Sequence, residues 1–112
     1  MGQTRVMYSD ATTAEAATAL KNCGFVESNQ GGLFTSPSIP LKIYVVWGKS
    51  SYFPEILARL DFSPRIQIHL KSRENTPVLV ELLLGVASSL RSNSPGTRLK
   101  AFNTDTAEEM DC

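Results

Sequence analysis

Arg65-Ile66-Gln67-Ile68-His69-Leu70-Lys71 alternates polar and apolar side chains without a break. Period two marks a β-strand, because successive side chains leave a pleated strand on opposite faces. Ile66, Ile68 and Leu70 then share one face, and Arg65, Gln67, His69 and Lys71 share the other. Clean alternation predicts an antiparallel sheet with one face on a core and one in water.

Just upstream, Ser63-Pro64 breaks the chain. Residues 50–60 read as a short helix with Pro54 in its first turn and Phe53, Ile56, Leu57 and Leu60 on one side. Residues 41–47 form a second strong strand, rich in β-branched and aromatic residues and closed by Gly48. Leu41, Ile43, Val45 and Trp47 share a face there, which favours a core place for Trp47; Lys42, Tyr44 and Val46 share the other. Trp47 and Tyr52 also bracket the loop over residues 48–51, where aromatics often anchor an interface. Residues 25–28 and 33–36 flank Asn29-Gln30-Gly31-Gly32, the pattern of a hairpin, with Pro37 and Pro40 ending it.

Towards the N-terminus, residues 5–8 make an opening strand. Thr12 and Glu15 then form a capping box ahead of the apolar stripe Ala16, Leu20, Cys23. Gly24 stops that helix in a left-handed cap, and Phe25 folds back on Leu20. Towards the C-terminus, Thr76 caps a last helix over residues 77–92, Pro77 takes its first position, and Leu79, Leu82, Leu83, Val86 and Leu90 give it a broad apolar face. Ser94-Pro95-Gly96-Thr97 is a turn, and residues 99–102 close the sheet as an edge strand. An open edge over residues 98–102 offers a homodimer contact.

The order β-α-β-β-β-α-β-α-β predicts an α+β fold: a two-layer sandwich of a mostly antiparallel sheet with its helices on one face. The 112 residues make one domain over residues 1–102, followed by an acidic, flexible tail over residues 103–112. Asp105, Glu108, Glu109 and Asp111 carry that tail's charge. They leave seven acids against eleven bases in the body, although the whole chain is neutral. Neutrality argues against a dedicated nucleic-acid binder. The two cysteines, Cys23 and Cys112, suit a reducing cytoplasm. No apolar signal core or membrane-length stretch stands in the sequence, and Val6 departs from the myristoylation pattern.

No catalytic set assembles from spacing. The single histidine, His69, sits in a polar strand row, and no nucleophile elbow surrounds any serine. Cys23, His69 and Cys112 are too scattered for a metal site, and Gly31-Gly32 lies in a turn rather than a phosphate loop. The reading is therefore non-enzymatic, with no cofactor and no metal. The best candidate partner-binding surface is the row Arg65, Gln67, His69, Lys71, extended by Lys42 and Tyr44 on the neighbouring strand.

The capped helix ending Leu20…Cys23-Gly24-Phe25, the strand over residues 41–47, Leu60-Asp61-Phe62, the alternating strand over residues 65–71 and the helix over residues 77–92 form a pattern. It resembles that of small bacterial immunity proteins of polymorphic or contact-dependent toxin systems. The resemblance spans residues 5–102 and implies a compact cytoplasmic protein that neutralises a toxin by blocking its active or functional surface. It carries no invariant functional residue. Immunity proteins against basic nucleases tend to be acidic, since opposite charge speeds association. With a basic body, this chain would face another kind of toxin or use its tail for contact. Two other functions fit the sequence: a small nucleic-acid-binding or regulatory module, and a small-ligand sensor or enzyme with a pocket between the sheet and the helix over residues 53–60.

Overall fold

Local signals at both ends of the first helix set its bounds in the computed structural model, which describes residues 3–37, 39–72 and 78–110. The chain runs β1 (Gln3–Ser9), α1 (Thr13–Asn22), β2 (Val26–Glu27), β3 (Leu33–Ser36), β4 (Ile39–Trp47), α2 (Pro54–Leu57), β5 (Ile66–Ser72), α3 (Val78–Asn93), β6 (Leu99–Asn103), β7 (Glu108–Met110). At the start of α1, the Glu15 N–H donates to Thr12 Oγ1 at 3.2 Å and the Thr12 N–H donates to Glu15 Oε1 at 2.9 Å. At its end, Gly24 takes φ +91°, the Gly24 N–H donates to the Lys21 carbonyl and the Phe25 N–H to the Leu20 carbonyl. This pair of bonds is the Schellman motif, and it seats Phe25 beside Leu20 in the core. The Ser94 hydroxyl also donates to Glu15, tying the start of α1 to the turn after α3. That bond, followed by the Thr12 bonds, holds the Glu15 carboxyl below its ordinary pKa.

Seven strands form one sheet in the order β2-β3-β4-β5-β1-β6-β7, and each neighbouring pair is antiparallel. The α+β class and the antiparallel sheet are thus as the sequence predicts, but the helices do not share one face. On the first face, Met7, Ile43, Ile68 and Ala101 pack with α1 and α3 through Ala16, Leu20, Leu79, Leu83, Val86 and Leu90. Leu79, Leu83, Val86 and Leu90 are fully buried and contribute about 2 kcal/mol each before entropy is counted. On the second face, Val6, Tyr8 and Phe102 pack with Ile56 of α2, flanked by Phe53, Leu57, Leu60 and Phe62.

Several boundaries move. β4 begins at Ile39 and takes in Pro40, because the β3–β4 register shifts between Thr35 and Ser36; a bulge is where a strand tolerates proline. The helix expected over residues 50–60 narrows to Pro54–Leu57, with turns on either side. Trp47 is 67% exposed rather than in the core. Parity does put it on the same face as Ile43, but it stands at the strand's last position. The cap and first proline expected at Thr76 and Pro77 lie outside the described residues, as do Asp111 and Cys112.

The largest change is at the C-terminus. Residues expected to form a tail turn back at residues 104–107, where Ala107 takes φ +58°, and pair as β7 with β6. Met110 packs against the core, and the Arg59 guanidinium donates to the Ala107 carbonyl at 2.5 Å while lying over the Phe102 ring. β6 therefore lies between β1 and β7, and its expected open edge for a homodimer is covered. Deleting residues 104–112 should lower unfolding free energy by at least about 1 kcal/mol, part of a buried methionine's worth plus the ladder bonds. A urea titration that shows no change would mean that the segment adds nothing to the fold.

Candidate functional site

Opposed residues in an antiparallel ladder point the same way, so the register assigns every side chain of the second face to a row. One row is Val46, Gln67, Tyr8, Lys100; the next is Tyr44, His69, Val6, Phe102; the third is Lys42, Lys71, Thr4. Period two alone leaves all of them open to water. The structure covers part of the first two rows with the β4–β5 connection, residues 48–64, which crosses the face as a strap.

Gln67 holds the strap's near end. Its side chain is fully buried, and its amide nitrogen donates to the Gly48 carbonyl at 2.9 Å and the Ser50 carbonyl at 2.7 Å. Two carbonyl acceptors fix the amide's orientation and leave Oε1 to accept from His69 Nε2 at 2.8 Å. His69 therefore carries its proton on Nε2. Gly48 permits the close approach: its N–H donates to the Arg65 carbonyl at 2.9 Å, and a Cβ there would overlap the Pro64 carbonyl. The strap's far end is tied by Arg59 to Ala107 and by Lys100 to Asp61 at 3.4 Å.

Between these anchors Tyr52 and Phe53 close over the His69 ring. Tyr52 meets it edge-on at 5.1 Å between centroids, and Phe53 stacks at 5.6 Å. His69 is 5% exposed, and burial, followed by the nearby Lys71 charge, pushes its pKa down to about 4. Tyr8 lies under the strap too; burial pushes its phenol up to about 12, and its hydroxyl makes no hydrogen bond among the described residues. Ile56 of α2 packs directly on Val6, Tyr8 and Phe102 of the sheet. A groove of about 540 Å³ opens instead along the strap itself, lined by Lys49, Leu57, Leu60, Asp61, Phe62, Ser63 and Pro64.

Of the six residues expected to bind a partner, the structure brings three together at the surface. Lys42 and Lys71 are directly opposed and exposed, and the Lys71 ammonium lies 5.7 Å from the centre of the half-buried Tyr44 ring. Gln67 and His69 belong to the same face but are buried, so they support the strap and offer nothing to a partner. Arg65 is exposed just before the strand, and its charge makes a minor contribution to lowering the Glu15 pKa. Tyr52, 63% exposed above His69, is the surface residue that strand periodicity missed. The sequence marks Tyr52 as a loop aromatic that could anchor an interface, but not its place over His69.

Lys42 and Lys71 have no carboxylate within 4 Å among the described residues. Directly opposed like charges destabilise a sheet, and no described carboxylate offsets this pair. An acidic surface laid over them would. Compared with known proteins, the chain matches no family model and no curated protein sequence.

The depressed His69 pKa makes stability depend on pH. Unfolded, the ring takes up a proton near pH 6.5; folded, it refuses one until about pH 4. The stabilisation is complete above pH 6.5 and declines on acidification, by up to about 2 kcal/mol between pH 6.5 and 5. Urea unfolding across that window should show the decline, and His69→Phe should flatten it. A flat wild-type profile would mean that the ring titrates as if in water.

Proposed function

We propose that the chain is a non-enzymatic binding protein that neutralises a protein toxin by covering its working surface, in the manner of the immunity proteins its sequence resembles. It docks through Lys42, Tyr44 and Lys71. The observation that carries this reading is the opposed lysine pair, unpaired with any described carboxylate, on the half of the second face that the strap leaves open. The partner surface is accordingly acidic. The local pair of lysines, rather than the balanced net charge of the chain, fits such a partner. His69 fits a packing role, since its ring is enclosed by aromatics and its Nε2 proton is committed to Gln67. The protein would act where the toxin acts, in the cytoplasm.

The test uses the product of the reading frame adjacent to this gene. Calorimetry should detect a complex, and Lys42→Glu with Lys71→Glu should weaken it by about 100-fold, the scale of two close charge pairs across an interface. Unchanged affinity in the double variant would remove this face from the proposal. A neighbouring product that is no toxin, or that forms no complex, would remove the toxin partner.

A further inference from the structure

The lysine pair lies in a longer row. Val26 opposes Thr35, Thr35 opposes Lys42, Lys42 opposes Lys71 and Lys71 opposes Thr4. Five adjacent strands therefore present Val26, Thr35, Lys42, Lys71 and Thr4 in line on the second face, at steps of about 4.8 Å. Val26 is 61% exposed, an apolar side chain that the fold leaves uncovered. One occupant accounts for both the bare valine and the bare lysines.

We infer that this row is a seat for an amphipathic, acidic α-helix of the partner, laid across the strands. This inference rests on the binding role proposed above and specifies what is bound. A helix rises about 1.5 Å per residue, so side chains three and four apart lie about 4.5 and 6 Å apart along its axis. These values bracket the single strand step between Lys42 and Lys71. A neighbouring strand segment repeats its same-face side chains every ~6.7 Å and fits that step less well. Two strand steps separate Val26 from Lys42, about 9.6 Å, close to the ~10.5 Å of seven helical residues.

A leucine at one position with carboxylates seven and eleven positions later would therefore meet Val26, Lys42 and Lys71 from one helix face. Tyr44 and Tyr52 flank that line on the strap side, where an aromatic wall suits a helix's apolar flank. Charge sets the limits. Asp105, Glu108 and Glu109 are exposed on the β6–β7 side of the sheet, beyond β1. They would repel a long polyanion running over the whole face, but a short helix confined to the row does not reach them.

The probe is a helical peptide of about 18 residues, labelled with a fluorophore, carrying leucine at one position and glutamates seven and eleven positions later. Anisotropy should show saturable binding to the full chain that weakens with salt. Lys42→Ala with Lys71→Ala should weaken it at least about 10-fold, and Val26→Ser several-fold. NMR shifts should map to Val26, Lys42, Tyr44, Lys71 and Tyr52. A peptide of the same composition interrupted by two prolines should bind at least about 5-fold more weakly. Three results would overturn the inference: no binding of the intact peptide, equal binding of the broken one, or equal affinity in the double alanine variant. Tighter binding of a single-stranded oligothymidine at the same salt would also overturn it and assign the face to nucleic acid. A toxin complex that forms and depends on Lys42 and Lys71 while the peptide fails would remove only the helix, whereas peptide binding without any toxin complex would remove only the toxin.

Discussion

A buried glutamine on the central strand governs the second face. Gln67 has two amide hydrogens and a carbonyl oxygen, and the interior supplies a partner for each: Gly48 O, Ser50 O and His69 Nε2. A buried polar group left unpaired costs about 1–3 kcal/mol, so this side chain is tolerated only while the strap stays down. The strap in turn needs glycine at position 48, where any Cβ would strike the Pro64 carbonyl. It also needs the aromatic cover of Tyr52 and Phe53, which makes room for a neutral histidine beneath. Position, protonation state and packing are one linked arrangement.

That arrangement divides the face. Over β1 and β6 the strap and α2 build a second small core around Val6, Tyr8, Phe102 and Ile56. From β2 to β5 the outer part of the face stays open, with Lys42, Lys71, Tyr44 and Val26 on it. The strap's edge supplies Tyr52 as the border between the two halves. The binding role proposed for the open half therefore depends on buried residues that never reach the surface. The first face has no such division, because α1 and α3 cover it with an apolar layer joined at Glu15 and Ser94.

Elements written in local chemistry were legible from sequence. The capping box at Thr12 and Glu15, the glycine stop at Gly24, and the positive φ of Gly96 in the turn after α3 each need only a few neighbouring residues. Strand identity and parity in β4 and β5 were legible for the same reason. What parity cannot state is what lies above a face. Gln67 and His69 alternate with isoleucines whether water or a polar loop covers them, so periodicity alone places them in water. Trp47 shows the same limit at a strand end, where the correct face is not a buried place. β7 escaped because Glu108-Glu109-Met110 is short and acidic, and its strand character comes from pairing with β6 and from Arg59, which is distant in sequence. The opposed lysines were legible as residue types, but their contact depends on the β4–β5 register.

The state of His69 reports on the whole clamp. Long-range proton–nitrogen correlation NMR of the imidazole near neutral pH reads which ring nitrogen carries hydrogen. The ring should be neutral and protonated on Nε2 alone, because Gln67 offers only an oxygen there. A ring that exchanges rapidly between tautomers, or one protonated on Nδ1, would mean that Gln67 does not grip the strap and that the second face is not divided as described.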